Sequence, residues 1–300
     1  MTTAPDLPQE TLDAAHALTG EVVASFDGAP DRLRTLMQGL VGHLHGFVLE
    51  HDVSLEEWRT AIGVLTAAGH ITDERRQEFI LLSDTLGVSS LVDLLANSRT
   101  PESTPSAVLG PFYVDGPPEL GQGDDLSGDL AGERVHADLL VTDLDGSGVA
   151  GAVVDVWQAD PDGFYDVQLP DLDGPALRGR FRTDDGGRLR FVTLLPAPYP
   201  IPDDGPVGQM LTATGRHPMR APHVHVMISA PGHRTLVTQL FVEGGDHLDS
   251  DTVFGVKPDI VVPFSTQDGP APDGSDGPWR RLEFTFRLAP APGPASGPGR

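Results

Sequence analysis

The sequence contains no cysteine, which removes disulfides, thiolate nucleophiles and thiolate metal sites together. Any bound metal must therefore be held by oxygen and imidazole nitrogen. Basic residues are scarce: 20 Lys plus Arg stand against 44 Asp plus Glu, a formal net charge of −24. A field of that sign repels nucleic acid and anionic membrane, and no basic cluster offsets it, so neither is expected as a partner. Long apolar runs are also missing. The run Val149–Val154 falls far short of the roughly 20 residues of a spanning helix, so this is not expected to be a membrane protein. Met1–Glu10 shows no positive region followed by an apolar run, and the expectation is a cytoplasmic enzyme. Glycine and proline are plentiful but fall in turns without a strict period, which excludes a collagen-like chain.

The chain of 300 residues is long enough for a substantial core and changes texture near residue 100. Residues 12–99 read as helical. Over Arg32–Glu50, Leu33, Leu36, Met37, Leu40, Val41, Leu44, Phe47 and Val48 recur at three- and four-residue spacing, giving one broad apolar face. Ser54 and Glu57 have capping-box spacing, and Trp58, Ile62 and Leu65 continue as the stripe of a second helix. A third is expected from Thr72 or Asp73, carrying Phe79, Ile80 and Leu82, and a short fourth over Ser90–Asn97. Faces this apolar call for packing as a bundle or against a partner.

Beyond Pro101, short apolar or alternating runs are separated by Gly, Asp and Pro. Strands are expected at His136–Thr142, Ala152–Gln158, Arg178–Thr183, Arg188–Leu194, His223–Ser229, Thr235–Val242 and Arg281–Leu288. Many short strands with few helices between them predict a β-sandwich rather than a barrel of βα units. The loop Ser265–Gly277 and the tail Ala289–Arg300 are rich in Gly and Pro and are expected to be irregular.

Within the expected strand His223–Ser229, the two-residue period puts His223 and His225 on one face and Val224, Val226 and Ile228 on the other. Two imidazoles aimed at one point make half of a transition-metal site. The spacing also suits an ordinary buried pair bonded to backbone. Tyrosine is rare, only Tyr113, Tyr165 and Tyr199, and prolines on both sides of Tyr199 restrain its backbone. Two imidazoles with two phenolates would favour ferric iron, because phenolate is a hard anionic donor. A ferrous site of two histidines and one carboxylate is equally permitted by composition.

Several ordered segments carry a family resemblance. They are Arg76-Gln77-Glu78-Phe79-Ile80-Leu81-Leu82-Ser83-Asp84-Thr85-Leu86-Gly87, Leu109-Gly110-Pro111-Phe112-Tyr113 and Val154-Asp155-Val156-Trp157-Gln158-Ala159-Asp160. Gly163-Phe164-Tyr165-Asp166-Val167-Gln168, Pro198-Tyr199-Pro200-Ile201-Pro202 and Thr214-Gly215-Arg216-His217-Pro218 follow. From about Arg32 to Leu288 the chain resembles the intradiol ring-cleavage dioxygenases, most of all those acting on hydroxyquinol. The resemblance implies an N-terminal helical dimerisation domain (1–100), an antiparallel β-sandwich catalytic domain (101–288) and a flexible tail (289–300). It implies a homodimer with a phospholipid at the helical interface.

The same resemblance implies Fe(III) held by Tyr165, Tyr199, His223 and His225, with small aromatic diols or triols and O2 as substrates. Tyr199 is the ligand displaced by substrate, Arg220 stabilises developing negative charge, and Gln239 orients a ligand or intermediate. The implied substrate pocket comprises Leu81, Asp84, Val108, Leu109, Gly110, Pro111, Phe112, Ile201, Pro202 and Val253. A carboxylate at Asp84 can accept a hydrogen bond from a third ring hydroxyl, which favours benzene-1,2,4-triol over catechol. A catechol or chlorocatechol enzyme and a non-catalytic binding sandwich are the alternatives. The chain departs from the family in reading Arg220-Ala221-Pro222-His223, with alanine and proline exchanged, and in the segment Glu102–Ala107.

Overall fold

The computed structural model describes residues 7–73, 76–169, 172, 174–275 and 277–291. The expected tail 289–300 falls outside the described residues from position 292 onward. By backbone contacts the chain divides into two compact units, Met1–Ala67 and Ala68–Arg300.

The first unit holds helices α1 (Gln9–Ala24) and α2 (Asp31–Glu50) and most of α3 (Leu55–Ile71). The capping box forms: Ser54 N–H donates to Glu57 Oε2 at 2.8 Å and Glu57 N–H donates to Ser54 Oγ at 3.2 Å. The apolar face of α2 is where the heptad-like spacing puts it, but this chain leaves it uncovered. Leu33, Leu36, Leu40, Leu44, Phe47 and Val48 are each 46–57% exposed.

The second unit opens with α4 (Glu78–Thr85) and α5 (Val88–Asn97). Helix α4 starts later than the expected Thr72 or Asp73. Asp73 is instead bonded to Arg76, its Oδ1 accepting the Arg76 N–H at 2.8 Å. Glu78 is wholly buried at the start of α4, and its Oε1 accepts the Val207 N–H at 3.0 Å. Val207 lies in the first turn of α6 (Pro206–Ala213), so the carboxylate serves as an external cap for a helix that sequence periodicity did not reveal.

The rest is a sandwich of two sheets. One contains β1 (Arg134–Thr142), β4 (Arg188–Leu194), β10 (Phe264–Gln267) and β11 (Trp279–Arg287), in the order β10-β11-β1-β4. The other contains β2 (Val153–Gln158), β3 (Arg178–Arg182), β7 (His223–Ser229), β8 (Leu236–Val242) and β9 (Val261–Val262), in the order β3-β2-β7-β8-β9. A two-stranded ribbon joins β5 (Tyr199–Pro200) to β6 (Met219–Arg220). Most pairs are antiparallel as expected, but β1–β11 and β8–β9 are parallel. All seven expected strands form within two residues of their expected ends. The short strands β5, β6, β9 and β10 were not foreseen, and β10 occupies the start of the supposed irregular loop at Ser265. Two- to four-residue strands are too short to show an alternation.

The core lies between the sheets, where Val135, Leu139 and Phe286 face Val154, Val224, Val226 and Leu240, all buried. Phe181 of β3 stacks on Phe191 of β4 at 5.2 Å between ring centroids. Among the described residues, no single helix is long and apolar enough to cross a membrane. Phe181→Ala removes a fully buried ring and is expected to cost about 3–5 kcal/mol, read as a lower urea midpoint.

Candidate metal centre

Strand β7 turns its valines and Ile228 into the core, which leaves His223 and His225 facing away from it. Both imidazoles are buried, and their Nε2 atoms are 3.0 Å apart. His223 Nδ1–H donates to the Ala221 carbonyl at 2.7 Å, which turns the Nε2 lone pair toward the cluster, where it accepts from Arg220 Nη1 at 3.2 Å. His225 has no comparable bond: its Nδ1 is 3.4 Å from Gln239 Nε2, and its ring lies flat on Trp157, centroids 4.6 Å apart and planes at 9°. Gly110, at φ +77°, comes so close that a Cβ there would lie 3.3 Å from His225 Cε1.

Tyr199 arrives from the ribbon, directly opposite Arg220 in its register, and its hydroxyl is 3.5 Å from His223 Nε2. Tyr165 comes from the turn after β2. Asp160 Oδ1 shapes that turn by accepting the N–H groups of Asp162 and Phe164 at 2.9 and 2.8 Å. Gly163, at φ +88°, leaves only 3.0 Å between a built Cβ and the Pro198 carbonyl, so the turn packs directly on the Tyr199 segment. Asp166 pairs with Arg178, whose Nη1 also donates to the Phe112 carbonyl at 3.1 Å. Phe112 in turn stacks on Tyr165 at 4.4 Å. The rings of Tyr165 and Tyr199 meet edge to face at 5.2 Å.

The structure thus brings all four expected ligands into one buried cluster. The Tyr165 hydroxyl is fully buried and has no partner at hydrogen-bonding geometry among the described residues. Burial, reinforced by Tyr199, pushes its pKa well above the usual phenol range. Burial and then the Arg220 charge push His223 down to about 3, and burial also holds His225 well below its usual value. The cluster is therefore a set of neutral donors with a lone pair and an unsatisfied hydroxyl. A cation that displaced the phenolic protons would satisfy both. Among the described residues, no group of three or more His, Asp or Glu is disposed to hold a metal, so the carboxylate alternative does not assemble.

Arg220 is 3% exposed and lies beside the cluster. Its Nε and Nη2 donate to Asp251 at 3.1 and 3.4 Å, Nη2 also to Gln239 Oε1 at 3.0 Å, and Nη1 to the Tyr199 hydroxyl at 3.4 Å. Burial works against its charge, but Asp251 and the two tyrosines outweigh burial and raise the pKa. Asp251 is completed by the N–H groups of Ala221 and Gly255 at 3.3 and 2.8 Å. The exchanged Ala221-Pro222 pair therefore provides the carbonyl that orients His223, and its alanine supplies Asp251 with an N–H that a proline at position 221 would lack. Gln239 donates onward to the Val108 carbonyl at 2.9 Å.

A cavity of about 520 Å³ is lined by Leu81, Pro111, Phe112 and Pro202 of the expected pocket, together with Arg76, Glu78, Tyr113 and Val167. Leu81, Ile201 and Val253 share one apolar cluster, while Leu109 and Pro111 are exposed. Asp84 is 5% exposed, and its Oδ1 has no partner among the described residues. Burial raises the Asp84 pKa, only partly opposed by Ser89 and the Arg220 charge. Sequence reading missed Asp251, Trp157 as a wall of the site, and the Asp166–Arg178 pair. Asp251 is 31 positions from Arg220, and no local pattern links them.

A carboxyl whose folded pKa is raised contributes stability that is present below the unfolded value, about 3.9, and lost as pH rises through the folded value. Asp84→Asn is therefore expected to raise Tm at pH 7, by about 2–4 °C for each kcal/mol relieved. The gain should vanish below about pH 4 in a pH series of thermal melts.

Comparison with known proteins agrees with this geometry. A family model described as "Dioxygenase" matches residues 108–290, and one described as "Catechol dioxygenase N terminus" matches residues 30–104. The hydroxyquinol 1,2-dioxygenase of Nocardioides simplex is 50% identical over 279 residues, covering 91% of this chain and 95% of that protein. That of Rhodococcus opacus is 47% identical over 298 residues, covering 96% and 98%. The crystal structure of hydroxyquinol 1,2-dioxygenase from Pseudomonas putida DLL-E4 superposes with a TM-score of 0.87 at 40% identity, covering 93% of this chain and 100% of that one. With two family models spanning the helical segment and the sandwich, and such identity over nearly the whole length, the chain belongs to the intradiol ring-cleavage dioxygenase family.

Proposed function

We propose that this chain opens the ring of hydroxyquinol (benzene-1,2,4-triol) between its adjacent hydroxyl-bearing carbons. Both atoms of O2 enter the product, 3-hydroxy-cis,cis-muconate, whose keto form is maleylacetate. In this reading Tyr165, Tyr199, His223 and His225 hold Fe(III). The observation that carries it is the convergence of two buried imidazoles, 3.0 Å apart at Nε2, with two buried phenols, one of them lacking any described partner. When bound, ferric iron supplies a Lewis acid that takes the diol oxygens and draws electron density out of the ring.

The chain's own groups do the rest. Tyr199, whose oxygen already receives a hydrogen bond from Arg220, would hold the metal as its phenolate and could take one substrate proton to become the neutral phenol. The buried Arg220 guanidinium, fixed by Asp251 and Gln239, offers positive charge where negative charge develops. The apolar cluster of Leu81, Ile201 and Val253 limits water. Asp84 Oδ1, buried and unpartnered, accepts the third hydroxyl of the triol. Catechol lacks that hydroxyl and leaves the acid unsatisfied, which is the physical basis of the preference.

The same reading makes residues 1–100 a helical dimerisation domain of a cytoplasmic homodimer, 101–288 the catalytic domain and 289–300 a tail. The half-exposed stripe on α2 supports it, since six large apolar residues on one helix face are costly to leave in water. A phospholipid at that interface is part of the proposal.

Purified holoenzyme is expected to be red-brown from phenolate-to-iron charge transfer, with a band that shifts under anaerobic triol and recovers when oxygen is admitted. Oxygen uptake should be faster on benzene-1,2,4-triol than on catechol, and Asp84→Asn should shrink that ratio by about 10-fold or more. A colourless, iron-free protein, or one that prefers catechol, contradicts the reading. Leu36→Glu combined with Leu40→Glu should halve the mass seen by sedimentation and leave the sandwich folded. An unchanged mass contradicts the interface.

A further inference from the structure

Two histidines on one strand, two residues apart, are oriented here by different physics. His223 is fixed by a short hydrogen bond from its Nδ1–H to the Ala221 carbonyl, 2.7 Å. A metal-binding histidine commonly has such a bond on its second nitrogen, because it sets both the tautomer and the ring plane. His225 departs from that pattern. Its Nδ1 has only a long hydrogen bond, 3.4 Å to the Gln239 amide nitrogen, whose shorter bond of 2.9 Å goes to the Val108 carbonyl. What confines the His225 ring is packing. Trp157 covers one face at 4.6 Å with planes only 9° apart, and the Gly110 backbone closes on Cε1.

Trp157 is itself braced by a chain of contacts. It is 1% exposed and stands directly across from His225 in the β2–β7 register. Tyr113 meets its ring edge to face at 5.0 Å. The Tyr113 hydroxyl donates to Asp155 Oδ2 at 2.9 Å. Asp155, two residues before Trp157 on the same face of β2, is gripped by both Nε and Nη2 of Arg180 at 2.6 and 2.7 Å. Arg180 is its cross-strand partner on β3. A bidentate guanidinium–carboxylate pair of this kind holds direction as well as distance.

We propose that Trp157 is the positioning residue for His225, its indole lying flat on the imidazole and held there through Tyr113 and Asp155 by Arg180. The inference rests on the reading of His225 as an iron ligand. It adds that the aim of this ligand depends more on a stacked ring than on its one long hydrogen bond. It also gives the third tyrosine of the chain a role outside the ligand set.

The test compares holoenzyme of wild type, W157L, W157F, Y113F and V154A. Val154 lies on the same strand as Trp157 but points into the sandwich core. The readouts are the rate at which a strong chelator removes iron, followed by metal analysis, and the position of the charge-transfer band. W157L is expected to lose iron about 10–100-fold faster than wild type, with a displaced band, as for other partners that orient a ligand. W157F, which keeps a stacked ring, and Y113F should fall between the two. V154A should lose thermal stability but release iron at the wild-type rate. The assignment is overturned if W157L releases iron like wild type, or if V154A accelerates release as much. Should W157L not fold, Y113F carries the test because it opens no cavity, and unchanged release overturns the assignment. Wild-type protein that takes up no ferric iron overturns the ligand reading itself, an outcome distinct from every result in the variant series.

Discussion

Strand β7 has to satisfy two environments at once, and the alternation of its side chains is the constraint from which both core and site follow. Val224, Val226 and Ile228 are wholly buried between the sheets, while His223 and His225 look into a polar cluster from the same seven residues. Because the period is two, a slip of one residue would put imidazoles in the core and valines in the site. The strand is paired on both sides, with β2 and β8, so such a slip would break two ladders. Hydrophobic burial thus fixes the face on which the histidines lie, and the Ala221 carbonyl then orients His223. The neighbours add what alternation cannot: β2 brings Trp157 opposite His225, and β8 brings Gln239 opposite the same residue.

The electrostatics of the site run against those of the chain. The chain carries a formal charge of −24, yet its most enclosed charged group beside the cluster is a cation, Arg220. A buried guanidinium is tolerable because Asp251 compensates it, and Asp251 is tolerable because Arg220 and two backbone N–H groups compensate it. The pair is close to neutral from a distance. At short range it leaves the guanidinium edge turned toward Tyr199 and His223. That edge can act on a bound anion while the acidic surface acts only on what approaches from outside.

How much of this could be read from the sequence depends on the length of the pattern involved. The seven longer strands, the α2 stripe and the Ser54–Glu57 cap each express themselves within one element, so periodicity or spacing finds them. The cluster of Tyr165, Tyr199, His223 and His225 was legible through the family resemblance of the two motifs that carry the tyrosines and through the H-x-H alternation, helped by the scarcity of tyrosine. The rest depends on contacts between distant segments. Helix α6 is stabilised at its start by Glu78, far away in sequence, and Asp251 reaches Arg220 across 31 positions. The ribbon that sets Tyr199 against Arg220 is two residues deep, below the length at which alternation carries a signal. The late start of α4 goes with a local contact, the Asp73 carboxylate on the Arg76 N–H, which helical periodicity cannot distinguish from the cap of a helix beginning at Asp73.

Three tyrosines in one protein show that a phenol's role is decided by what faces its oxygen. Tyr113 faces the Asp155 carboxylate. Burial and that hydrogen bond push its pKa up to about 12, which makes it a fixed donor. Tyr199 faces the Arg220 guanidinium at 3.4 Å and His223 Nε2 at 3.5 Å, so its oxygen is already an acceptor for a cation. Tyr165 faces no described partner and is buried, so as a neutral phenol it leaves a polar atom unsatisfied. Its hydroxyl is the least stable element of the cluster without a cation and gains most from one. The two imidazoles can meet the close approach of their Nε2 atoms by sharing one proton, so the uncompensated polar atom of the cluster is the Tyr165 hydroxyl. That cost persists because the core behind β7 and the packing around Tyr165 leave the ring no other direction in which to turn.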